Sequence, residues 1–136
     1  MSRYLLDTGI ASDYINRRNG VFERASAEVA RGHQIGISTP VLGELCSGVE
    51  ASAARERNFR LLVRAVSAWT LWPFDHVAAE EYGRIAATLR RIGRPMQSVD
   101  IQSAAIARCL GNCTVVSKDS DLSAVPGLSV ENWAAV

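Results

Sequence analysis

The sequence predicts an α/β fold: a three-layer α/β/α sandwich with a central, mostly parallel sheet covered by helices on both faces. Three observations carry this. Short apolar runs of strand character alternate with longer segments whose apolar residues recur at helical spacing, the pattern of βαβ units. One of those segments, 99–110, is apolar nearly all round, as a central helix must be. The length of 136 residues suits one domain with a real core, so 1–136 is read as a single unit.

In chain order, Tyr4-Leu5-Leu6 reads as a buried strand that runs straight into Asp7. A short helix over 8–18 carries Ile10, Tyr14 and Ile15, and Arg17-Arg18-Asn19-Gly20 ends it. A second helix spans 21–31, with Phe22, Ala25 and Val29 on one face and Gly32 as its stop. Ile35-Gly36-Ile37 is a short strand. Thr39 is then placed as N-cap and Pro40 as first residue of the next helix, with Glu44 just over one turn in. The 53–68 segment is amphipathic: Phe59, Leu62, Val63 and Val66 form the predicted inner face, and Arg55, Arg57, Arg60 and Arg64 lie mostly outside. Trp69 to Phe74 read as a strand that Pro73 makes short or confines to an edge. A helix over 75–92 repeats Val77, Ala78, Tyr82, Ile85, Leu89 and Ile92, and Gly93 ends it. Ser98 is the expected cap of the central helix, and Asp100 lies in that helix's first turn. Cys113 to Val116 is a buried strand, and Leu128 to Val130 a last short one.

Composition excludes several classes. No apolar run approaches 18 residues, so no transmembrane helix is expected. Arg3 and Asp7 leave no room for the apolar core of a signal peptide. Cys46, Cys109 and Cys113 form no CxxC pair and have only His33 and His76 to join them, which argues against zinc and suits reduced thiols in a cytoplasm. The net charge of +1 does not announce a nucleic-acid binder. Fourteen arginines against one lysine, Lys118, fit phosphate recognition and fit a codon bias equally well. No P-loop, GxSxG or HExxH is present.

The acids are more informative. Asp7 follows the first strand, Glu44 lies early in the helix after the second, and Asp119 follows the 113–116 strand. In a parallel sheet all three belong at the carboxyl edge, where ligands bind in open α/β folds, and Asp100 opens a helix that can point there too. Each has an ordinary explanation when taken singly. Asp7 can cap a helix, Asp100 can complement a helix dipole, Glu44 can be solvated, and Asp119 and Asp121 can be turn residues. Jointly, four converging carboxylates repel unless some hold a proton or a cation sits among them. A hard cation such as Mg²⁺ or Mn²⁺ prefers such oxygens and suits phosphodiester hydrolysis.

Four motifs in order sharpen this. Leu5-Leu6-Asp7-Thr8, then Ser38-Thr39-Pro40-Val41-Leu42-Gly43-Glu44-Leu45, then Asp100-Ile101-Gln102-Ser103-Ala104-Ala105, then Val115-Val116-Ser117-Lys118-Asp119-Ser120-Asp121-Leu122 together resemble a PIN-domain ribonuclease, in particular the VapC toxin branch of type II toxin–antitoxin systems. The closing Val125-Pro126-Gly127 to Trp133 is similar to that branch's tail. The resemblance implies a Mg²⁺- or Mn²⁺-dependent endoribonuclease acting on RNA, with Asp7, Glu44, Asp100 and Asp119 as its acids. Thr8 and Ser117 would orient them, and Asp121 would be an extra ligand or supporting group. It also implies a homodimer and a cognate VapB-like antitoxin that blocks the site. One position departs from the pattern: Gly9 stands where the family usually has Asn, which bears on activity more than on metal binding.

Arg90, Arg91 and Arg94 are candidate RNA-phosphate contacts, with a solvated helix end as the plain alternative. The 53–68 helix, with Trp69 and Trp72 nearby, offers a candidate groove for an antitoxin helix, although residues of that size are more often core. Two other functions stay open: a nuclease for RNA processing or structured DNA, and a catalytically weak module kept for regulation or antitoxin binding.

Overall fold

The computed structural model describes residues 1–135. Five strands, β1 (Arg3–Leu6), β2 (Gln34–Ser38), β3 (Thr70–Trp72), β4 (Cys113–Val116) and β5 (Ser129–Glu131), form one sheet in the order β3-β2-β1-β4-β5. Every pairing is parallel. The helices are α1 (Thr8–Ile15), α2 (Val21–Ala30), α3 (Thr39–Ala51), α4 (Arg55–Ala68), α5 (His76–Arg91) and α6 (Ser98–Leu110), and a 3₁₀ turn covers Ser120–Ala124. The three-layer α/β architecture with a parallel sheet is therefore as the sequence predicts.

Strand alternation divides the core. Tyr4 and Leu6 of β1, Ile35 and Ile37 of β2 and Val116 of β4 face a layer built from α1 to α4. Leu5, Val115 and Trp72 face α5 and α6. The middle strand is buried on both sides, which is why it reads as an unbroken apolar run. Leu5 and Leu6 are fully buried. Helix α6 is the matching case: Ala104, Ala105, Ile106 and Ala107 are all buried, so apolarity around the whole helix reports its central place. Trp133 closes the first layer against the Tyr4 ring, 4.9 Å away between centroids.

One glycine is required by a close approach. A Cβ on Gly36 would stand 2.0 Å from the Thr70 carbonyl oxygen and 3.0 Å from the Trp72 ring. Strands β2 and β3 pair there, Gly36 opposite Thr70, and only hydrogen fits.

Several boundaries differ from the sequence reading. Helix α1 stops at Ile15 rather than at 18, because Arg17 and Asn19 take positive φ. The last strand is Ser129–Glu131, one residue later than expected. The N-cap of α3 is Ser38, not Thr39; its hydroxyl accepts from the Val41 amide at 3.2 Å. Pairing of Ser38 with Trp72 holds Ser38 extended in the cap position, so the helix starts at Thr39, one residue earlier than expected, and the Thr39 hydroxyl instead accepts from the Phe74 amide at 3.1 Å. Ser98 is the first residue of α6 rather than its cap; Gln97 holds the cap position without a side-chain bond. The Trp69–Phe74 strand is only Thr70–Trp72, at the sheet edge, as Pro73 requires.

The 53–68 helix departs most. Leu62 and Ala65 are buried, but Phe59 and Val63 are about half exposed. Helix α4 packs chiefly on α3 and α1 at the rim of the layer rather than flat on the sheet, so only one narrow stripe is covered. Trp69 and Trp72 are both core, on opposite faces of the sheet.

The Ser38 hydroxyl also meets the Ser103 hydroxyl at 3.0 Å, both buried. Ser38→Ala removes a cap and leaves Ser103 without its partner. It is expected to cost about 1–3 kcal/mol in a urea titration.

Candidate active site

Connectivity alone brings the acids together. With all strands parallel, α1 and α3 begin where β1 and β2 end, and the Ser117–Asp119 segment begins where β4 ends. Helix α6 runs back toward the amino end of β4, so its first turn, with Asp100, lies at the same carboxyl edge. The Ser38–Ser103 hydrogen bond pins the start of α3 to the second turn of α6 at this edge.

Each carboxylate is held differently. Asp7 caps α1, accepting from the Ile10 amide at 2.8 Å, so the capping role and a place at the edge coexist. The Thr8 hydroxyl donates to Glu44 Oε1, tying α1 to α3. The Asp119 amide donates to the Ser117 hydroxyl at 2.9 Å, and Asp119 Oδ1 accepts from the Asp121 amide at 2.9 Å. The Ser117 hydroxyl also supports the Asp7 carboxylate.

Electrostatics link the four. Burial pushes the Asp100 carboxyl above its ordinary range, and the charges of Asp7, Asp119 and Glu44 push it further the same way. Burial also raises Asp7, with Asp119 adding to it; Ser117, the Ile10 amide and Lys118 pull it back. Carboxyls raised in the fold bind more protons folded than unfolded. Between the unfolded and folded pKa the fold therefore loses stability as pH rises, and regains it on acidification. Without metal, Asp100→Asn is expected to raise Tm at pH 7 by about 1–3 °C, the scale of a partly screened charge, and the gain should vanish near pH 4. Differential scanning fluorimetry at the two pH values checks this.

Among the described residues, no three His, Cys, Asp or Glu side chains stand close enough together to hold a metal ion as they are placed. The set is an open one: four carboxylates within Coulombic reach, flanked by the Thr8 and Ser117 hydroxyls. Its donors are all hard oxygens, and Lys118 is the cation that acts on Asp7. That chemistry fits a hard divalent ion that keeps several of its waters.

The remaining sequence candidates lie at the rim. Asp121 is exposed and faces Arg94, 3.5 Å away, rather than adding its charge to Asp100. Arg94 thereby joins the α5–α6 loop to the segment carrying Asp119. Arg90 and Arg91 are exposed in the last turn of α5, and Arg91 donates to the Thr88 hydroxyl at 3.1 Å. Two features were not read from the sequence. One is the Ser38–Ser103 pair. The other is Lys118, whose ammonium stands 2.8 Å from the buried carboxylate of Asp13. A cavity of about 300 Å³ opens beside Thr8 and Glu44, between α1, α3 and α4, lined also by Asn16, Leu45, Asn58 and Leu61.

Known proteins resemble this chain along nearly its whole length. Residues 4–128 match the PIN domain. The chain is 33% identical over 135 residues to the tRNA(fMet)-specific endonuclease VapC of Shigella flexneri, covering 98% of this chain and all of that protein. It is 31% identical over 133 residues to ribonuclease VapC2 of Haemophilus influenzae, covering 98% and 99%. Among solved structures, DNA-bound VapBC from Salmonella typhimurium superposes with a TM-score of 0.89 at 30% identity, over 98% of this chain and 100% of that one. VapBC2 from Rickettsia felis, bound to a promoter DNA fragment, gives 0.89 at 28% identity, over 96% and 98%. A parallel five-stranded sheet, acids gathered at its carboxyl edge and full-length similarity to these proteins lead to one conclusion: the chain belongs to the PIN-domain family.

Proposed function

We propose that this chain is a Mg²⁺- or Mn²⁺-dependent endoribonuclease, the toxin of a toxin–antitoxin pair, restrained by a VapB-like antitoxin. The observation that carries the reading is the convergence of carboxylates at one sheet edge, where Asp7, Asp119 and Glu44 all repel the charge of Asp100 and Lys118 is the cation acting on Asp7. The full-length likeness to VapC ribonucleases supports the substrate class, and the likeness to VapBC complexes supports the partner.

Asp7, Asp100 and Asp119, with Glu44, are the residues to hold the ion. A divalent cation bound there supplies Lewis-acid polarisation of a phosphoryl oxygen and a water acidified for attack. The chain's own part is to keep those carboxylates in place. Asp7 is fixed by the Ile10 amide and Ser117, Glu44 by Thr8, and Asp119 by the turn that its own amide and Asp121 close. These hydrogen bonds orient acceptors before substrate arrives, so little reorganisation is left for the reaction. RNA phosphates passing the rim would meet Arg90, Arg91 and Arg94, all exposed. With Gly9 in place, Asp7 still accepts from the Ile10 amide, so its cap needs no side chain at that position.

The antitoxin reading rests on the half-exposed Phe59 and Val63 of α4 and on the cavity that adjoins Thr8 and Glu44. A helix laid there would cover apolar surface and reach the acids together. The same reading includes a homodimer and action in the cytoplasm. Among the described residues no helix is long and apolar enough to cross a membrane.

Calorimetric titration with Mn²⁺ tests the metal centre. Binding is expected, weakening on acidification from a pH above the ordinary carboxylate range, because Asp7 and Asp100 must release protons. Absence of binding at neutral pH would defeat the metal-dependent reading and leave the interaction module in its place.

A further inference from the structure

Lys118 is the chain's single lysine and it is not placed as a surface charge usually is. It lies between Ser117 and Asp119, both at the acidic edge. Its Cε and Asp7 Oδ1 both border the space over Gly9, at 4.0 and 3.8 Å from the point where a Cβ would stand. Its ammonium is 2.8 Å from Asp13 Oδ2. Asp13 is 5% exposed and also accepts from Asn19 Nδ2 at 3.0 Å. Burial opposes the Asp13 charge, but Lys118 and Asn19 outweigh it and hold the carboxyl below its ordinary range. The anchor is therefore a fixed anion. An ammonium has three donors, and Asp13 is its one ion-pair partner among the described residues, with the lysine side chain still 45% exposed.

We propose that Lys118, held by Asp13, contacts a non-bridging oxygen of the RNA phosphate that enters the acidic edge. The assignment rests on the ribonuclease reading above and adds to it a substrate-binding residue. The physical need is plain. Four carboxylates repel a polyanion as strongly as they attract a cation, and a compact ammonium whose charge reaches Asp7 offsets that repulsion locally. Asp13 is a positioning residue: it limits the wandering of a flexible four-carbon stem and so reduces the entropy lost on contact.

The test uses full-length protein in an Asp7→Asn background, with single-stranded RNA followed by fluorescence anisotropy across a salt series, beside cleavage assays with Asp7 intact. Lys118→Met leaves Asp13 buried without its cation, so the double variant Asp13→Asn/Lys118→Met is run in parallel to keep the fold neutral at that point. Losing one phosphate contact is expected to lower the slope of log affinity against log salt by about 0.7. Cleavage should fall about tenfold or more, while Mn²⁺ affinity stays within about twofold. Lys118→Arg should keep the slope and recover part of the rate. Slopes equal to the parent in both Met variants would overturn the assignment and reduce the Lys118–Asp13 pair to a tie between α1 and the β4 end. Failure of the parent protein to cleave any RNA would strike the ribonuclease reading instead, and the salt slope would still judge Lys118.

Discussion

Asp7→Asn is expected to lower metal-dependent RNA cleavage by at least about a hundredfold while leaving the protein folded. Loss of a group that only supports a metal ligand commonly costs about 10–100-fold, so loss of a residue proposed to hold the ion directly takes the top of that range as its lower bound. The substitution isolates chemistry from folding. Asn is as good an N-cap as Asp, so the acceptor for the Ile10 amide survives and α1 keeps its start. Burial raises the Asp7 carboxyl and Asp119 repels it, so removing the charge should not destabilise the metal-free fold. Single-turnover cleavage together with a melting curve checks both halves. Asp100→Asn should behave alike, and the double variant should be little worse than either, because residues that act as one unit do not lose activity additively.

Gly36→Ala is expected to be the most destabilising single methyl that can be added to this sheet. A Cβ 2.0 Å from the Thr70 carbonyl carbon's oxygen meets backbone, which cannot rotate away, and the Trp72 ring closes the other side. Strand β3 must move or unpair. Overpacking costs about 1–3 kcal/mol where side chains can yield, and here about 3 kcal/mol or more is expected, a fall in Tm of roughly 10 °C. Gly43, with open space around its Cβ position, is the control: Gly43→Ala should be neutral or mildly stabilising within helix α3. Paired urea titrations of the two variants make the comparison.

The legible parts of this chain are those where one residue's chemistry suffices. The unbroken apolar run of Tyr4 to Leu6 can only be a strand buried on both faces, and the apolar circumference of α6 can only be central. From those two elements and the parallel connectivity, the common edge of Asp7, Glu44, Asp100 and Asp119 follows. The parts not legible depend on a neighbour distant in sequence. Ser38 and Thr39 both carry a hydroxyl, and the choice of cap is made by Trp72 on the adjacent strand. The helical periodicity of α4 is visible in the sequence, but which of its apolar residues are covered depends on its seat at the rim beside α3. Gly36 looks like any strand glycine until Thr70 is beside it. Lys118 and Asp13 are far apart in sequence and carry no motif, and only the fold shows that they meet.

Under the proposed function, the acidic edge cuts RNA with the help of a divalent ion. The most direct measurement is incubation of total cellular RNA with the purified protein and Mg²⁺ or Mn²⁺, beside an EDTA control and the Asp7→Asn variant. Discrete fragments that disappear in both controls are expected. Intact RNA under every condition, from protein that also fails to bind Mn²⁺, would contradict that function.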